Sequence, residues 1–193
     1  QELADAATAP VINARTDHNH PCEVLGDLAF VRTVRGSLEG LRVTFLGEAS
    51  NLCHSWCEAA AALPIEVTQV CPAGYQVDEG WWRQLTPRPR GRIAHTEDLT
   101  TGLRGADVVY TDCWPIPEDG AERDRVAQRF SPLQVTAEAL QAQAPSALFL
   151  PCPPVTRGRE VSDDAMESSQ CRVVEAKGWL LHAQNALLET ALS

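Results

Sequence analysis

The stretch "RVTFLG" (42–47), which is soon followed by the alanine-rich "NLCHSWCEAAAAL" (51–63), decides the fold class of this chain. The first segment is a short, mostly apolar run with β-branched residues, as is typical of a strand that is covered on both faces. The second segment is rich in helix-forming residues. A strand, a tight turn and a helix in this order form the repeating unit of parallel sheets with helical connections.

The same alternation continues along the chain. Further strand-like runs are "EVTQV" (66–70), "ADVVYTD" (106–112), "SALFLPC" (146–152) and "CRVVEA" (171–176). Helical patterns occupy 78–85, 95–103, 119–130, 136–144 and 179–192, whereas "TPRPRGR" (86–92) indicates an exposed loop. We therefore predict an α/β fold, namely a doubly wound, Rossmann-like parallel five-stranded sheet with helices on both faces.

Composition narrows the function classes. The 193 residues are 44% hydrophobic and 22% charged, with a formal net charge of −10, so a basic face for nucleic acid is not expected. No apolar run reaches the length of a membrane span, and no basic segment precedes an apolar one as in a secretory signal. The seven cysteines include no CxxC pair, which favours reduced, buried thiols over zinc ligands. We expect a cytoplasmic protein that binds neither nucleic acid nor membrane.

The candidate site lies beyond the carboxyl ends of the strands, where ligands bind in doubly wound sheets. The turn "GEASN" after the first strand has one glycine and lacks the G-x-G-x-x-G spacing of a dinucleotide-binding turn, so no nicotinamide or flavin cofactor is expected. The segments that follow the predicted strands are 48–51, 71–75, 112–117, 152–157 and 175–179.

Several residues near these strand ends carry usable chemistry. Asn51 can cap the helix that it begins, or its amide can bind an amino-acid head group. Asp112 can cap a loop or pair with a substrate ammonium. Cys152 lies in a proline-rich turn, where it is either a packing residue or a reactive group. The His-Pro-Cys segment that begins at His20 fits a helix start, a metal ligand pair or part of an active site.

Taken together, these motifs resemble those of the ornithine and aspartate carbamoyltransferases, with the ornithine branch nearest. The segments that carry the resemblance are "PVINARTDHNHPCEVLGDL", "GLRVTFLGEASN", "GADVVYTDCW", "PCPPVTRGREV" and "LHAQNALL", and they cover nearly the whole chain. The resemblance implies that residues 1–193 form the second, amino-acid-binding domain of a two-domain enzyme, with 1–16 as a remnant of the interdomain connection. The Ser-Thr-Arg-Thr-Arg phosphate loop of the family's first domain does not occur in this sequence.

The resemblance also implies roles for four residues. His20 matches the histidine that contacts the carbamoyl group, and it would polarise the carbonyl as a hydrogen-bond donor. Asn51 matches the asparagine that holds the α-carboxylate of the amino acid, and Asp112 matches the aspartate that binds its α-amine. Cys152 matches the cysteine near the reacting amine. The implied substrates are carbamoyl phosphate and an amino acid or amine, without a cofactor or metal. The implied partners are the missing N-terminal domain and further subunits of a homotrimer or other homo-oligomer.

The family's His-Cys-Leu-Pro segment is Pro151-Cys152-Pro153-Pro154 here, and three further departures from the family pattern bear on catalysis. Glu23 stands where the family has glutamine, and an ionised carboxylate cannot donate the amide's hydrogen bond and repels a phosphate. Ile116 replaces a serine that meets the substrate, and Leu180 replaces an arginine that meets carbamoyl phosphate. Two functions therefore stay open. One is a carbamoyltransferase for an ornithine-like or modified acceptor, and the other is a catalytically degenerate relative that binds a ligand or acts as a scaffold.

Overall fold

A parallel sheet forms the centre of the molecule in a computed structural model that describes residues 2–193. The strands found there are β1 (Arg42–Leu46), β2 (Glu66–Val70), β3 (Arg92–Thr96), β4 (Val108–Thr111) and β5 (Leu148–Pro151). They are ordered β3-β2-β1-β4-β5, and every neighbouring pair is parallel. The predicted fold class is therefore confirmed. Gln1, the first residue of the predicted 1–16 remnant, lies outside the described residues.

Helices cover both faces of this sheet. They are α1 (Glu2–Ala6), α2 (Pro21–Arg35), α3 (Asn51–Ala62), α4 (Glu79–Leu85), α5 (Leu99–Leu103), α6 (Gly120–Phe130), α7 (Ala137–Gln143), α8 (Asp163–Glu167) and α9 (Val173–Leu192), and a 3₁₀ turn follows α6. Phe45 of β1 packs into the core beneath α2 and α3, whereas Leu46 packs into a second core that contains residues of α6 and α7. This alternation is the two-residue period of a strand that is buried on both sides. Among the described helices, none has the length and hydropathy of a membrane span.

The fifth strand is not the predicted one. The segment 171–176 contributes only an isolated bridge at Cys171 and then enters α9, where Val173 and Ala176 are buried while Val174 is exposed. That spacing of three residues is helical, so the strand prediction there is wrong. The fifth strand is β3, which lies in a region predicted as a loop and a helix. β3 is a polar, largely exposed edge strand, so it lacks the apolar run that identified the others.

A close crossing of α2 and α9 shapes one side of the sheet. Pro21 occupies the first turn of α2, where its missing N–H costs nothing, and Gly36 ends the helix with a φ of 82°. Between them, Gly26 lies directly against the backbone of α9. A Cβ added to Gly26 would lie 3.0 Å from the Cα of Leu180, so glycine is needed for this approach. The crossing brings the first two turns of α9 beside the acidic residues of α2.

The chain reverses its direction of winding between β1 and β4. From β1 it runs through β2 to β3 at one edge, and it then returns to β4 and β5 on the other side of β1. The loops after β1 and β4 therefore lead away from each other, which opens a crevice at their carboxyl ends. The start of α2 is fixed next to this crevice because the backbone N–H of His20 donates to Ser55 Oγ of α3 at 2.7 Å.

Candidate functional site

The crevice between β1 and β4 contains a cleft of about 270 Å³. All four residues that the sequence predicts for the site, His20, Asn51, Asp112 and Cys152, line it. They reach it from the start of α2, the start of α3, the end of β4 and the end of β5. The structure thus brings the four side chains into one hollow, although it does not test the role of each.

Two other predicted segments do not reach the cleft. Gly74 of the 71–75 segment lines a different cavity beside β2 and β3. The 175–179 segment was placed at the end of a strand that does not exist, and it lies within α9. Two of the three departures from the family pattern are also absent from the cleft wall. Ile116 is 60% exposed, and the backbone of Leu180 packs against Gly26.

Asp112 is held in place by both of its carboxylate oxygens. Ser50 Oγ donates to Oδ2 at 2.7 Å, and the backbone N–H of Cys113 donates to Oδ1 at 2.8 Å. The side chain is almost completely buried, at 7% exposure. A carboxylate that is oriented in this way can receive an ammonium group without first having to be ordered. Ser50 was not among the predicted site residues, although its place just before a helix is a common one for serine.

Asn51 is not the cap of α3. Ser50 takes the N-cap position, and its Oγ accepts the backbone N–H of Cys53 at 3.3 Å. Asn51 is instead the first helical residue, so the capping alternative is wrong by one position. Its side-chain amide makes no hydrogen bond to any described residue. The amide is therefore free to donate to and accept from a ligand in the cleft.

A buried charge cluster joins α2 to α9 behind Glu23, which lines the cleft. Lys177 Nζ lies 2.9 Å from Glu23 Oε1 and 2.9 Å from Asp27 Oδ2, and it lies 3.1 Å from Tyr110 Oη. Lys177 lies in the segment 175–179, which was a candidate because it follows a predicted strand, but no role was predicted for this residue. A signal was present in α2, since Glu23 and Asp27 are four residues apart and share a helix face, and two buried acids require a cation.

Lys177 controls the ionisation of this cluster. Burial acts to raise the pKa of Glu23, but the charge and hydrogen bond of Lys177 outweigh it, so the pKa lies below its ordinary value. Burial raises the pKa of Asp27, and there the opposing charge of Lys177 does not cancel the effect. Burial acts to lower the pKa of Lys177, but Asp27 and its neighbours raise it overall. Glu23 and Lys177 are therefore an ionised pair at neutral pH.

Cys152 is a neutral thiol in this setting. Its Sγ donates to Glu23 Oε1 at 3.2 Å. Burial raises the pKa of Cys152 strongly, and the negative charge of Glu23 adds to this effect, although Lys177 opposes it. Because the thiolate is the nucleophilic form of cysteine, Cys152 is suited to donate a hydrogen bond and not to attack a substrate.

His20 is buried and incompletely satisfied. Its ring Nδ1 lies 3.4 Å from Glu23 Oε2, but it makes no hydrogen bond of good geometry. Burial, with the positive charge of Arg15, lowers the pKa of His20, against the opposing charges of Glu23 and Asp112. Buried polar atoms without partners are rare, and in the described chain Nδ1 of His20 shares this condition only with Nε1 of Trp56 in the core.

Glu48 adds a further carboxylate to the cleft. Burial raises its pKa, and the negative charge of Asp112 raises it further. Its side chain makes no hydrogen bond within the described chain. Among residues 2–193, no three His, Cys, Asp or Glu side chains are grouped in a way that could hold a metal ion. Glu48 and Asp112 thus place two carboxylates in the cleft, which Arg15 also lines.

Comparison with known proteins identifies the family. The family model described as aspartate/ornithine carbamoyltransferase, Asp/Orn binding domain, matches residues 39–191. This chain belongs to the aspartate/ornithine carbamoyltransferase family. The prediction from the sequence motifs is therefore confirmed. The matched region of this carbamoyltransferase-family chain contains β1, β4 and β5, which carry most of the cleft.

Individual relatives agree with this assignment. The ornithine carbamoyltransferase of Methanothermobacter thermautotrophicus is 38% identical over 192 residues, covering 97% of this chain and 63% of the relative. That of Syntrophus aciditrophicus is 34% identical over 189 residues, covering 98% of this chain and 63% of the relative. The crystal structure of ornithine carbamoyltransferase from Gloeobacter violaceus is 33% identical, with a TM-score of 0.84, and the match covers 97% of this chain and 64% of that one. This carbamoyltransferase-family chain thus spans less than two thirds of each relative.

Proposed function

We propose that this chain is the acceptor-binding part of a carbamoyltransferase that moves the carbamoyl group of carbamoyl phosphate to an ornithine-like or modified amine. The observation that carries the proposal is the meeting of Asp112, Asn51, His20 and Cys152 in one cleft at the reversal point of the sheet. The relatives named ornithine carbamoyltransferase support the same reaction.

The residues of the cleft fit the parts of that reaction. Asp112 would pair with the α-ammonium of the acceptor, and the Asn51 amide would hold its α-carboxylate. The neutral thiol of Cys152 would face the reacting amine, and His20 would face the carbamoyl group. The amine nitrogen attacks the carbamoyl carbon, a C–N bond forms, and the C–O bond to phosphate breaks. Holding both reactants in this orientation supplies much of the acceleration in such a transfer.

The charge pair of Glu23 and Lys177 bears on the competing hypothesis of a degenerate relative. Glu23 favoured the hypothesis of a degenerate relative, because an isolated carboxylate repels a phosphate. Lys177 lies 2.9 Å from it and offsets that charge. The other two departures, Ile116 and Leu180, do not line the cleft. These observations favour an active transferase over a scaffold.

Other parts of the site are expected from outside this chain. The proposal assigns the phosphate loop to an N-terminal domain or to a neighbouring subunit of a homotrimer or other homo-oligomer. We also propose a cytoplasmic protein, since all cysteines in the described chain are free thiols and the cytoplasm keeps thiols reduced.

An assay of the full-length gene product tests the proposal. Carbamoyl phosphate is supplied with a panel of amines that includes ornithine, N-acylated ornithine, lysine and diamines, and both the ureido product and phosphate are measured. We expect equimolar formation of the two products with at least one amine. Asp112→Ala should lower kcat/KM by about 100-fold or more, because the acceptor loses its charged partner.

Asp78→Ala is the matched control. Asp78 caps α4 beside the other cavity, where its Oδ1 accepts the backbone N–H of Trp81 at 2.7 Å. Its loss should leave turnover unchanged. Calorimetry with carbamoyl phosphate on the same protein separates the two hypotheses. Binding of carbamoyl phosphate without turnover of any amine would favour the degenerate relative. The absence of both binding heat at millimolar carbamoyl phosphate and product would refute the transferase.

A further inference from the structure

We propose that Glu23 and His20 form a carboxylate–imidazole dyad in which His20 Nε2 accepts the proton that the acceptor amine loses as it attacks. This inference rests on the proposed function and concerns the same cleft. It changes the role of His20 from the hydrogen-bond donor that the family resemblance implies to a general base, and it gives Glu23 a use in place of the family's glutamine.

The position of Glu23 decides which ring nitrogen carries the proton. Oε2 of Glu23 lies 3.4 Å from Nδ1 of His20, an ion-pair contact without hydrogen-bond geometry, and Nδ1 makes no hydrogen bond to any described residue. An ionised carboxylate only accepts hydrogen bonds, so an Nδ1 lone pair that faced it would be repelled. The neutral imidazole therefore carries its proton on Nδ1, and Nε2 is left with a lone pair. A nitrogen without a proton cannot polarise a carbonyl by donation, but it can accept a proton from an amine.

The two oxygens of Glu23 have separate partners. Lys177 Nζ, at 2.9 Å, and Cys152 Sγ, at 3.2 Å, both lie on Oε1, whereas His20 lies on Oε2. Lys177 is thus a positioning residue that keeps Glu23 ionised and turns its second oxygen toward the imidazole. A base that is oriented by a third group through its other ring nitrogen is the general arrangement of nucleophile activation in enzymes.

The charges around His20 suit a base that works near neutral pH. Glu23 and Asp112 both stabilise the imidazolium that forms when the proton arrives, while Arg15 opposes it. Burial together with Arg15 keeps the pKa of the resting imidazole below its ordinary value, so the unprotonated form is present at neutral pH. A base must be unprotonated before the reaction and stabilised after it, and this set of neighbours provides both conditions.

The proposed step is balanced in atoms and charge. The lone pair of the neutral amine forms the new C–N bond at the carbamoyl carbon. One N–H proton passes to Nε2 of His20, and its electron pair stays on nitrogen. The C–O bond to phosphate then breaks, and its electron pair leaves with the phosphate. The imidazolium returns its proton to the departing phosphate, which regenerates the neutral ring with its proton on Nδ1.

The pH dependence of kcat tests the dyad in the full-length enzyme with its best amine. We expect the kcat of the wild-type enzyme to rise with pH as His20 loses its proton. In His20→Gln this rising limb should be absent, and kcat should be lower by about 100-fold or more. Glu23→Gln should lower kcat by about tenfold and move the limb to lower pH, because a negative charge beside the imidazolium has been removed. His54→Gln, a control on α3 outside the cleft, should change neither quantity.

Two results would overturn the dyad. The first is a kcat that falls as pH rises, in a limb that disappears in His20→Gln. This result would show that His20 acts as a protonated hydrogen-bond donor, which loses its activity when it is deprotonated. The second is an unshifted limb in Glu23→Gln, because a Glu23 that only supports the fold would lower the rate without moving the pKa.

The tautomer of His20 provides a readout that needs no turnover and no variant at Glu23. Long-range proton–nitrogen spectra of the full-length protein labelled with ¹⁵N-histidine distinguish the two neutral tautomers, and the signal missing from His20→Gln gives the assignment. We expect the proton on Nδ1. Turnover with the proton on Nε2 would refute the dyad and leave the proposed function standing. No turnover with any amine would refute the proposed function, and the proton transfer with it.

Discussion

Two cavities beside the sheet differ in how their polar groups are satisfied. The larger cavity, of about 520 Å³, lies beside β2 and β3 and is lined in part by Gln69 and Asp78. Gln69 Nε2 donates to the carbonyl oxygens of Gly47 and Tyr75, and its Oε1 accepts the N–H of Val77 at 2.8 Å. Asp78 caps α4. The chain itself uses these polar side chains to hold its loops.

The smaller cleft between β1 and β4 shows the opposite condition. Nδ1 of His20 is buried without a hydrogen bond, and the side chains of Asn51 and Glu48 have no hydrogen-bond partner in the described chain. Leaving Nδ1 of His20 unsatisfied costs stability, whereas the half-buried side chains of Asn51 and Glu48 remain open to a ligand. The candidate site is therefore distinguished by several side chains without hydrogen-bond partners, although its cavity is the smaller of the two.

The largest change in the free energy of unfolding is expected when Lys177, the cation that balances Glu23 and Asp27, is removed. Lys177→Met leaves Asp27 and Glu23 buried without a counter-ion, and it should lower the free energy of unfolding by about 4 kcal/mol at neutral pH. The deficit should shrink in acid, where both carboxyls become protonated. Urea unfolding at several pH values measures it, with Lys177→Arg as the variant that keeps the charge. A wild-type midpoint for Lys177→Met at pH 7 would show that the cluster does not depend on its lysine.

A somewhat smaller loss of stability is expected from a substitution in the larger cavity. Gln69→Leu nearly keeps the volume of the side chain but leaves the carbonyl of Gly47 and the N–H of Val77 unpaired, whereas the carbonyl of Tyr75 keeps the N–H of Ala49 as a donor. The free energy of unfolding should therefore fall by about 2 kcal/mol. Turnover per folded molecule should be unchanged, because Gln69 lines the larger cavity and not the cleft. Denaturant unfolding and a steady-state assay at low temperature measure the two quantities. A stable variant that has lost turnover would reverse the distinction between the two cavities.

The smallest expected change in stability is a gain, and it concerns Glu48. Burial and Asp112 raise the pKa of Glu48 in the folded state. A group of this kind stabilises the fold below its unfolded pKa, and this contribution is lost as pH rises through the folded pKa. Glu48→Gln, which resembles the protonated form, should therefore raise the free energy of unfolding at pH 7, by less than about 1 kcal/mol.

The sign of the Glu48→Gln effect can be checked by its pH dependence. The gain should disappear as the pH falls below the ordinary range for glutamate, where the wild-type carboxyl is itself protonated. Glu39→Gln, at an exposed carboxyl, is the matched control and should show little change. Destabilisation by Glu48→Gln at pH 7 would mean that the carboxylate supports the fold.

The part of the site that lies at strand ends could be predicted because it follows from local patterns. Asn51, Asp112 and Cys152 come just after apolar runs, and parallel strands present their carboxyl ends at one edge. The part on α9 could not be predicted in this way. The run "CRVVEA" is apolar enough for a strand, and only packing against the sheet and α2 makes it helical. That error placed Lys177 after a strand end and hid its position on the helix face that meets α2. The polar edge strand β3 was missed for lack of an apolar run.

The sequence by itself determined the α/β class, the family and the residues at the ends of three strands, because alternating apolar and helical segments record which faces are buried. Only the tertiary structure decided that Glu23 is an ionised partner of Lys177 and a neighbour of His20. That arrangement depends on the close crossing of α2 and α9 at Gly26, between segments that lie far apart in the chain. Local periodicity can show that a helix face is buried, but it does not record which distant charge meets it.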